Sequence, residues 1–228
     1  MLIQHLTERY RTGPQEILEE IDLLKSSRDK LLLNNLVVSL RSRPIRWISG
    51  FIDFGGLSVL LDYLNDAAIS NCHDEYEELY IKCLKSLMNN KIGLSGVLDT
   101  DGALKIIALS LRSPSLVTRS LVFEIFGAVC LISGGHSQIL ESMDFLCEHE
   151  CGRFRFETVM YSLWESCKGV SSLEKELQVA SMSFINAIIC GGPGEDIEFR
   201  MHMRWEFIHL GLVQFADVFP IDLENGID

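Results

Sequence analysis

The chain has 228 residues and a mass of 25.8 kDa, is 47% apolar and 23% charged, and carries 20 Lys and Arg against 32 Asp and Glu, a formal net charge of −12. This balance belongs to a folded chain with a sizeable core and excludes a disordered one. So acidic a chain is repelled by phosphate backbones and anionic lipid, which sets aside nucleic acid and membrane insertion and favours basic partners.

Helical periodicity runs along the chain. Ile17, Ile21 and Leu24 recur at i, i+4 and i+7 behind Thr12 and Pro14, residues suited to a cap and a first turn. A second helix over 29–41 places Leu32, Leu36, Val37 and Leu40 on one face, and Pro44 restarts a short helix, PIRWISGFI. Further helices are predicted over 56–68, 75–89, 102–112, 116–132, 136–149, 154–167, 173–190 and 195–210. Alternating strand patterns of useful length are absent, and the breaks fall at Gly, Asn, Asp and Ser clusters. The chain reads as all-α.

One helix start recurs. Gly56, Gly102, Gly135 and Gly211 each open a segment with an apolar residue at its fifth position, and they lie 46, 33 and 76 residues apart. A period near 40 is the armadillo or HEAT signature, in which units too small to bury their own apolar faces stack on one another. The predicted architecture is an armadillo-repeat, right-handed superhelical solenoid over residues 51–228, preceded by a helical cap over 1–50. SLVTRSLVFEIFGAVCLI and SMSFINAIIC are apolar nearly all round, as inner helices of such a stack should be.

Seven cysteines (Cys72, Cys83, Cys130, Cys147, Cys151, Cys167, Cys190) form no framework and read as reduced thiols of a cytoplasmic protein. Cys147-Glu-His149-Glu-Cys151, with His136 upstream, offers soft metal ligands, but a structural zinc site needs four ligands and no second cluster exists. The same Cys151 and His149 lack the orienting group and oxyanion site of a nucleophile–base pair. Gly-Gly-Pro-Gly at 191–194 and Ser-Gly-Gly-His at 133–136 lack the Lys-Ser/Thr and preceding strand of a phosphate loop and read as turns. Arg41, Arg43 and Arg46 beside Trp47 form the one dense basic cluster, read as a protein contact or a helix C-terminal feature. No metal, cofactor or catalytic activity is predicted.

Met88-Asn89-Asn90-Lys91 ends an otherwise apolar helix. One Asn satisfies a C-cap, and a second leaves an amide available to another protein.

Several segments together resemble a known family: LRSRPIRWISGFIDFGGL (40–57), KCLKSLMNNK (82–91), EIFGAVCLISGGH (124–136), MSFINAI and DIEFRMHMRWEFIHLGL. In this order they resemble the N-terminal regulatory region of diaphanous-related formins, the GTPase-binding and FH3 module, most like the Daam and formin-like branches. The resemblance covers about residues 12–216 and implies that the cap and first repeat bind a Rho-family GTPase in its GTP form. It also implies that an armadillo groove binds the formin's own C-terminal autoregulatory helix, suppressing actin assembly by an FH2 domain until the GTPase releases it. Met88, Asn89, Asn90 and Lys91 match the family's M-N-N-K string beside the GTPase. Ala187 matches the tail groove's motif alanine, with Ser183 and Cys190 on the same helical face. Actin would be reached only indirectly, at the cell cortex. The chain is expected to be a fragment, since it ends at Asp228 without the dimerisation region, coiled coil, FH1 or FH2. Because it begins abruptly at Met1, part of the GTPase-binding segment is expected to be missing. The competing reading is a general armadillo adaptor for basic peptides, although Trp47, Trp164 and Trp205 do not occupy equivalent repeat positions as such a ladder requires.

Overall fold

The computed structural model describes residues 2–71, 73–169, 171–192 and 196–218, with side chains from residue 13 onward. Cys72, Pro193 and Gly194 of the motifs above lie outside the described residues, as do residues 219–228 of the expected repeat region. Among the described residues the chain forms thirteen α-helices, one 3-10 turn and no strand.

Helix α1 (Leu2–Ser26) does not start at Thr12 and Pro14 but runs through Pro14. Proline there has no N–H for the carbonyl four residues earlier, yet Ile17, Ile21 and Leu24 beyond it are buried. Asp29 caps α2 (Lys30–Ser42), its carboxylate accepting the Leu31 N–H at 2.9 Å. Leu33, Leu36 and Leu40 are the buried face of α2; Leu32 and Val37, placed on that face by the sequence pattern, are only half-buried.

Next come α3 (Ile45–Asp53), α4 (Gly56–Ile69), α5 (Glu75–Leu87), α6 (Lys91–Asp99) and α7 (Ala103–Leu109) with the 3-10 turn Ser110–Arg112. Helix α6 was not anticipated from the sequence. The starts of α2 and α5, α3 and α6, and α4 and α7 lie 45, 46 and 47 residues apart, and each pair packs together. A three-helix unit repeated at that spacing is the armadillo arrangement, and its period reaches back before residue 50. Leu36, Leu40, Leu84 and Leu87 are buried in the stack, each worth about 1.5–3 kcal/mol of transfer free energy.

The glycine signal has a physical cause, one residue out of register with the sequence reading at two of its four positions. Gly55, Gly102, Gly134 and Gly211 all take positive φ (88°, 74°, 77° and 97°) immediately before a helix. Gly56 and Gly135 are second glycines kept by crowding: a Cβ on either would lie 2.5 Å from the Phe51 ring or 2.2 Å from the Val129 carbonyl oxygen.

The chain divides into two compact units, the boundary falling between Val122 and Phe123 within α8 (Leu116–Cys130). The second unit adds α9 (Gly135–His149), α10 (Glu157–Glu165), α11 (Ser172–Cys190), α12 (Ile197–His209) and α13 (Leu212–Val218). Its core holds Phe126, Met143, Phe156, Phe184 and Phe207, all buried, with the Phe184 ring against Phe123 at 5.5 Å and Phe126 at 6.0 Å. A capping box of Ser171 and Glu174 opens α11.

Candidate functional site

The first candidate surface is the corner between α5 and α6. Asp74 fixes where α5 begins, accepting the Tyr76 and Glu77 N–H groups and the Tyr63 hydroxyl at 2.6 Å. At the other end, Met88 is the C-cap and is half-buried. Asn90 is not a left-handed C-cap: its φ is −128°, and it is the N-cap of α6. Its Oδ1 accepts the Gly93 N–H at 2.9 Å, while its Nδ2 donates to the Leu87 carbonyl at 3.0 Å. One amide thus satisfies an orphan acceptor of one helix and an orphan donor of the next. Asn89 and Lys91 are exposed on this corner. Of the two asparagines, Asn90 builds the turn and Asn89 faces outward.

The second candidate is a groove of about 670 Å³ in the second unit. Ser183, Ala187 and Cys190 all line it on α11, with Val179 and Asn186; Glu124, Gly127, Ala128 and Leu131 form the α8 wall. Phe123 lies beside Phe184, and a Cβ on Gly191 would lie 3.2 Å from the Cys130 carbonyl oxygen, so the two helices run parallel. The small Gly127 and Ala128 open the floor, and Val179 and Leu131 are exposed apolar rims. Glu124, Glu176 and Lys175 are among its lining residues, and the negative ends of both helix dipoles stand at its Cys190 end. The groove is therefore of a polarity suited to an apolar, helix-sized ligand, with a cation favoured at that end. Sequence reasoning found only the α11 wall. The Gly-Ala pair inside an otherwise bulky helix was the available signal for the other.

At the end of α8, burial pushes the Cys130 thiol up to about 12, and Cys83 in the first unit is likewise pushed to about 12. Both thus behave as small core hydrophobes.

The remaining sequence candidates have structural roles. Cys151 occupies the left-handed position of a Schellman cap on α9, with φ 52°, the Gly152 N–H donating to the Cys147 carbonyl at 2.8 Å and the Cys151 N–H to that of Glu148 at 3.1 Å. Among the described residues no three His, Cys, Asp or Glu side chains converge as metal ligands. His136 is buried, its Nε2 donating to the Ile188 carbonyl at 2.9 Å and so tying α9 to the end of α11. Among the described residues no single helix is long and apolar enough to cross a membrane.

The sequence matches the model of the Diaphanous GTPase-binding Domain over residues 4–131 and that of the Diaphanous FH3 Domain over residues 136–220. The chain belongs to the diaphanous-related formin family. This formin region is 39% identical over 204 residues to Disheveled-associated activator of morphogenesis 2 of Mus musculus, covering 89% of the chain and 18% of that protein. It is 32% identical over 209 residues to Formin-F of Dictyostelium discoideum, covering 90% of the chain and 16% of that protein. It thus spans less than a fifth of these curated relatives. The crystal structure of E. histolytica Formin1 bound to EhRho1-GTPγS superposes with a TM-score of 0.70 at 20% identity, covering 95% of this chain and 78% of that one. At that identity the likeness establishes the fold, an armadillo-like helical repeat.

Proposed function

We propose that this formin region is a non-catalytic regulatory module with two ligands. It binds a GTP-loaded Rho-family GTPase at the α5–α6 corner, through Met88, Asn89 and Lys91 on a turn built by Asn90. It holds the formin's own C-terminal autoregulatory helix in the α8–α11 groove, against Ser183, Ala187 and Cys190. The cap of residues 1–50 acts together with the repeats from 51 onward, because α2 packs along α5, the helix that carries the corner. Through the tail the module restrains actin assembly by an FH2 domain elsewhere in the protein, in the cytoplasm at the cell cortex.

The observation that carries the reading is the coincidence of all three expected tail residues in one apolar groove, in a chain matched by a GTPase-binding and an FH3 family model. If the GTPase is to take a closed population from 99:1 to 1:99, it must favour the open state by about 5.5 kcal/mol. Calorimetric titration against Rho-family GTPases loaded with GDP or a non-hydrolysable GTP analogue tests the first ligand. Selective binding of the GTP form is expected, and equal or absent binding of both forms refutes it. Repeating the titration with the tail helix bound tests the switch, which is wrong if GTPase affinity is unchanged.

A further inference from the structure

The second unit contains another cavity, of about 490 Å³, at the start of α9. The Ser-Gly-Gly-His turn at 133–136 and Ser137 line one part of it, and Gly192 and Phe199 line another. Neither glycine turn is a nucleotide loop, but together they surround a set of unused hydrogen-bond donors. The Gly135 N–H is taken by the Ile132 carbonyl at 2.9 Å, and the Gln138 N–H reaches the Gly134 carbonyl at 3.4 Å. Between them, the His136 and Ser137 N–H groups have no acceptor among the described residues. Helix α9 has 15 residues, and the positive end of its dipole lies at the same place.

The His136 side chain belongs to this cavity. The residue is 3% exposed, and its ring is fixed by the bond from Nε2 to the Ile188 carbonyl and by the edge of the Phe199 ring, with centroids 5.6 Å apart. Its Nδ1 has no partner among the described residues and faces Gly192, where φ is 67° and a Cβ would lie 2.6 Å from that nitrogen. A side chain at this position would close the nitrogen off. Because the Nε2 proton is committed to a carbonyl, the neutral ring presents a bare lone pair at Nδ1, and a proton added there makes Nδ1 a third donor.

Among the described residues no Asp, Glu, Lys or Arg lines the cavity, and Cys130 is its other titratable group. In a chain of net charge −12, a cavity without carboxylates and edged by unused donors suits an anion. Leu140 and Phe199 add apolar walls, and the volume is many times the roughly 30 Å³ share of one water molecule. The anion therefore arrives on an apolar body.

We infer that this cavity binds a phosphate monoester on a peptide, a phosphorylated serine flanked by apolar residues. Three phosphate oxygens match the three donors, where a carboxylate offers two. They accept the His136 and Ser137 N–H groups and an Nδ1–H, the imidazole taking one proton from solvent on binding. The flanking side chains lie against Leu140 and Phe199. This third ligand is independent of the GTPase and tail readings.

The test is amide and imidazole nitrogen NMR of the 228-residue chain at neutral pH. The probes are acetyl-Leu-phosphoserine-Leu-amide, the same peptide without its phosphate, and inorganic phosphate. The phosphopeptide should shift the His136 and Ser137 amides saturably and move the His136 ring signals toward the doubly protonated form. The unphosphorylated peptide should do neither, and inorganic phosphate should bind about tenfold or more weakly. An acidic residue in the first turn suits a helix, so Ser137→Asp should keep the melting temperature. It sets a carboxylate beside the same amides and should weaken the phosphopeptide about tenfold or more. Inorganic phosphate binding as tightly as the phosphopeptide overturns the peptide ligand and leaves an anion site only. Amide shifts with unaltered ring signals overturn the role of Nδ1. No saturable shift of these amides with either phosphate probe, or undiminished binding in Ser137→Asp, overturns the site.

Discussion

Replacing Asn90 separates the part of the α5–α6 corner that builds the turn from the part that faces outward. Asn90→Ala removes two hydrogen bonds, the one accepted from Gly93 at 2.9 Å and the one donated to Leu87 at 3.0 Å. Loss of an N-cap costs about 1 kcal/mol, and leaving the Leu87 carbonyl without its donor adds about 1 kcal/mol more. The Gly93 N–H cannot be recovered by rearrangement, because that glycine already sits so tightly that a Cβ would be 1.9 Å from the Leu87 oxygen. A loss of about 2 kcal/mol corresponds to roughly 4–8 °C in melting temperature for a chain of this size. Asn90→Asp keeps the acceptor but turns the donor into a second oxygen facing a carbonyl, and should lose about half as much. Asn89→Ala, at an exposed position, should stay within about 0.5 kcal/mol of wild type yet lose GTPase affinity. Melting followed by circular dichroism and GTPase titration on the same samples give the two readouts. An Asn90→Ala variant melting within about 1 °C of wild type, or an Asn89→Ala variant equally destabilised, would refute the division of labour.

Four further outcomes follow from the same structure. Phe126→Ala, at a fully buried ring packed on Phe184, should cost about 3–5 kcal/mol in urea denaturation. Ala187→Asp should leave the melting temperature nearly unchanged, since the residue is only half-buried, while weakening a labelled tail peptide about tenfold or more in fluorescence anisotropy by setting a charge against an apolar helix. Gly102→Ala meets no atom within 4 Å but must hold φ at 74°, so backbone strain alone should cost about 1–2 kcal/mol in the same urea assay. Cys83 and Cys130 have folded-state values of about 12, raised above the unfolded thiol's value of about 8.5. Their contribution is complete below the unfolded value and is lost as pH rises toward the folded one. The urea midpoint should therefore fall between about pH 8.5 and 10.5, less so in Cys83→Ala/Cys130→Ala, and equal slopes in both proteins would contradict the burial argument.

Helices that bury a periodic apolar face were legible in the sequence, because burial selects the spacing. Helix α6 was not, and Gly93 and Gly96 explain why. Two glycines in nine residues argue against a helix on propensity, but both are demanded by close contacts, with Leu87 and with Ile52. Tertiary packing overrides propensity there, and the turn before α6 was consequently read as a simple helix end. The start of α10 was misjudged by three residues because the Glu157 carboxylate accepts the Arg153 N–H at 3.2 Å, holding Phe154 and Arg155 in a turn. Ala187 came from the resemblance to the formin motif, and Ser183 and Cys190 from sharing its helical face. The Gly127-Ala128 pair marks a gap in the bulk of the facing α8 wall, but nothing in a sequence states which helix will lie alongside it.

The positive-φ glycines also divide the helices by how their first amides are held. Asp29, Asp74, Asn90, Ser171 and Asp196 each accept a leading N–H of the helix they open. Gly55, Gly102 and Gly134 have no side chain with which to do so. The leading amides of α4, α7 and α9 should therefore exchange with solvent deuterium sooner than those of α2, α5, α6, α11 and α12. Exchange would then mark each glycine corner as a local opening point between helices that are otherwise protected along their length.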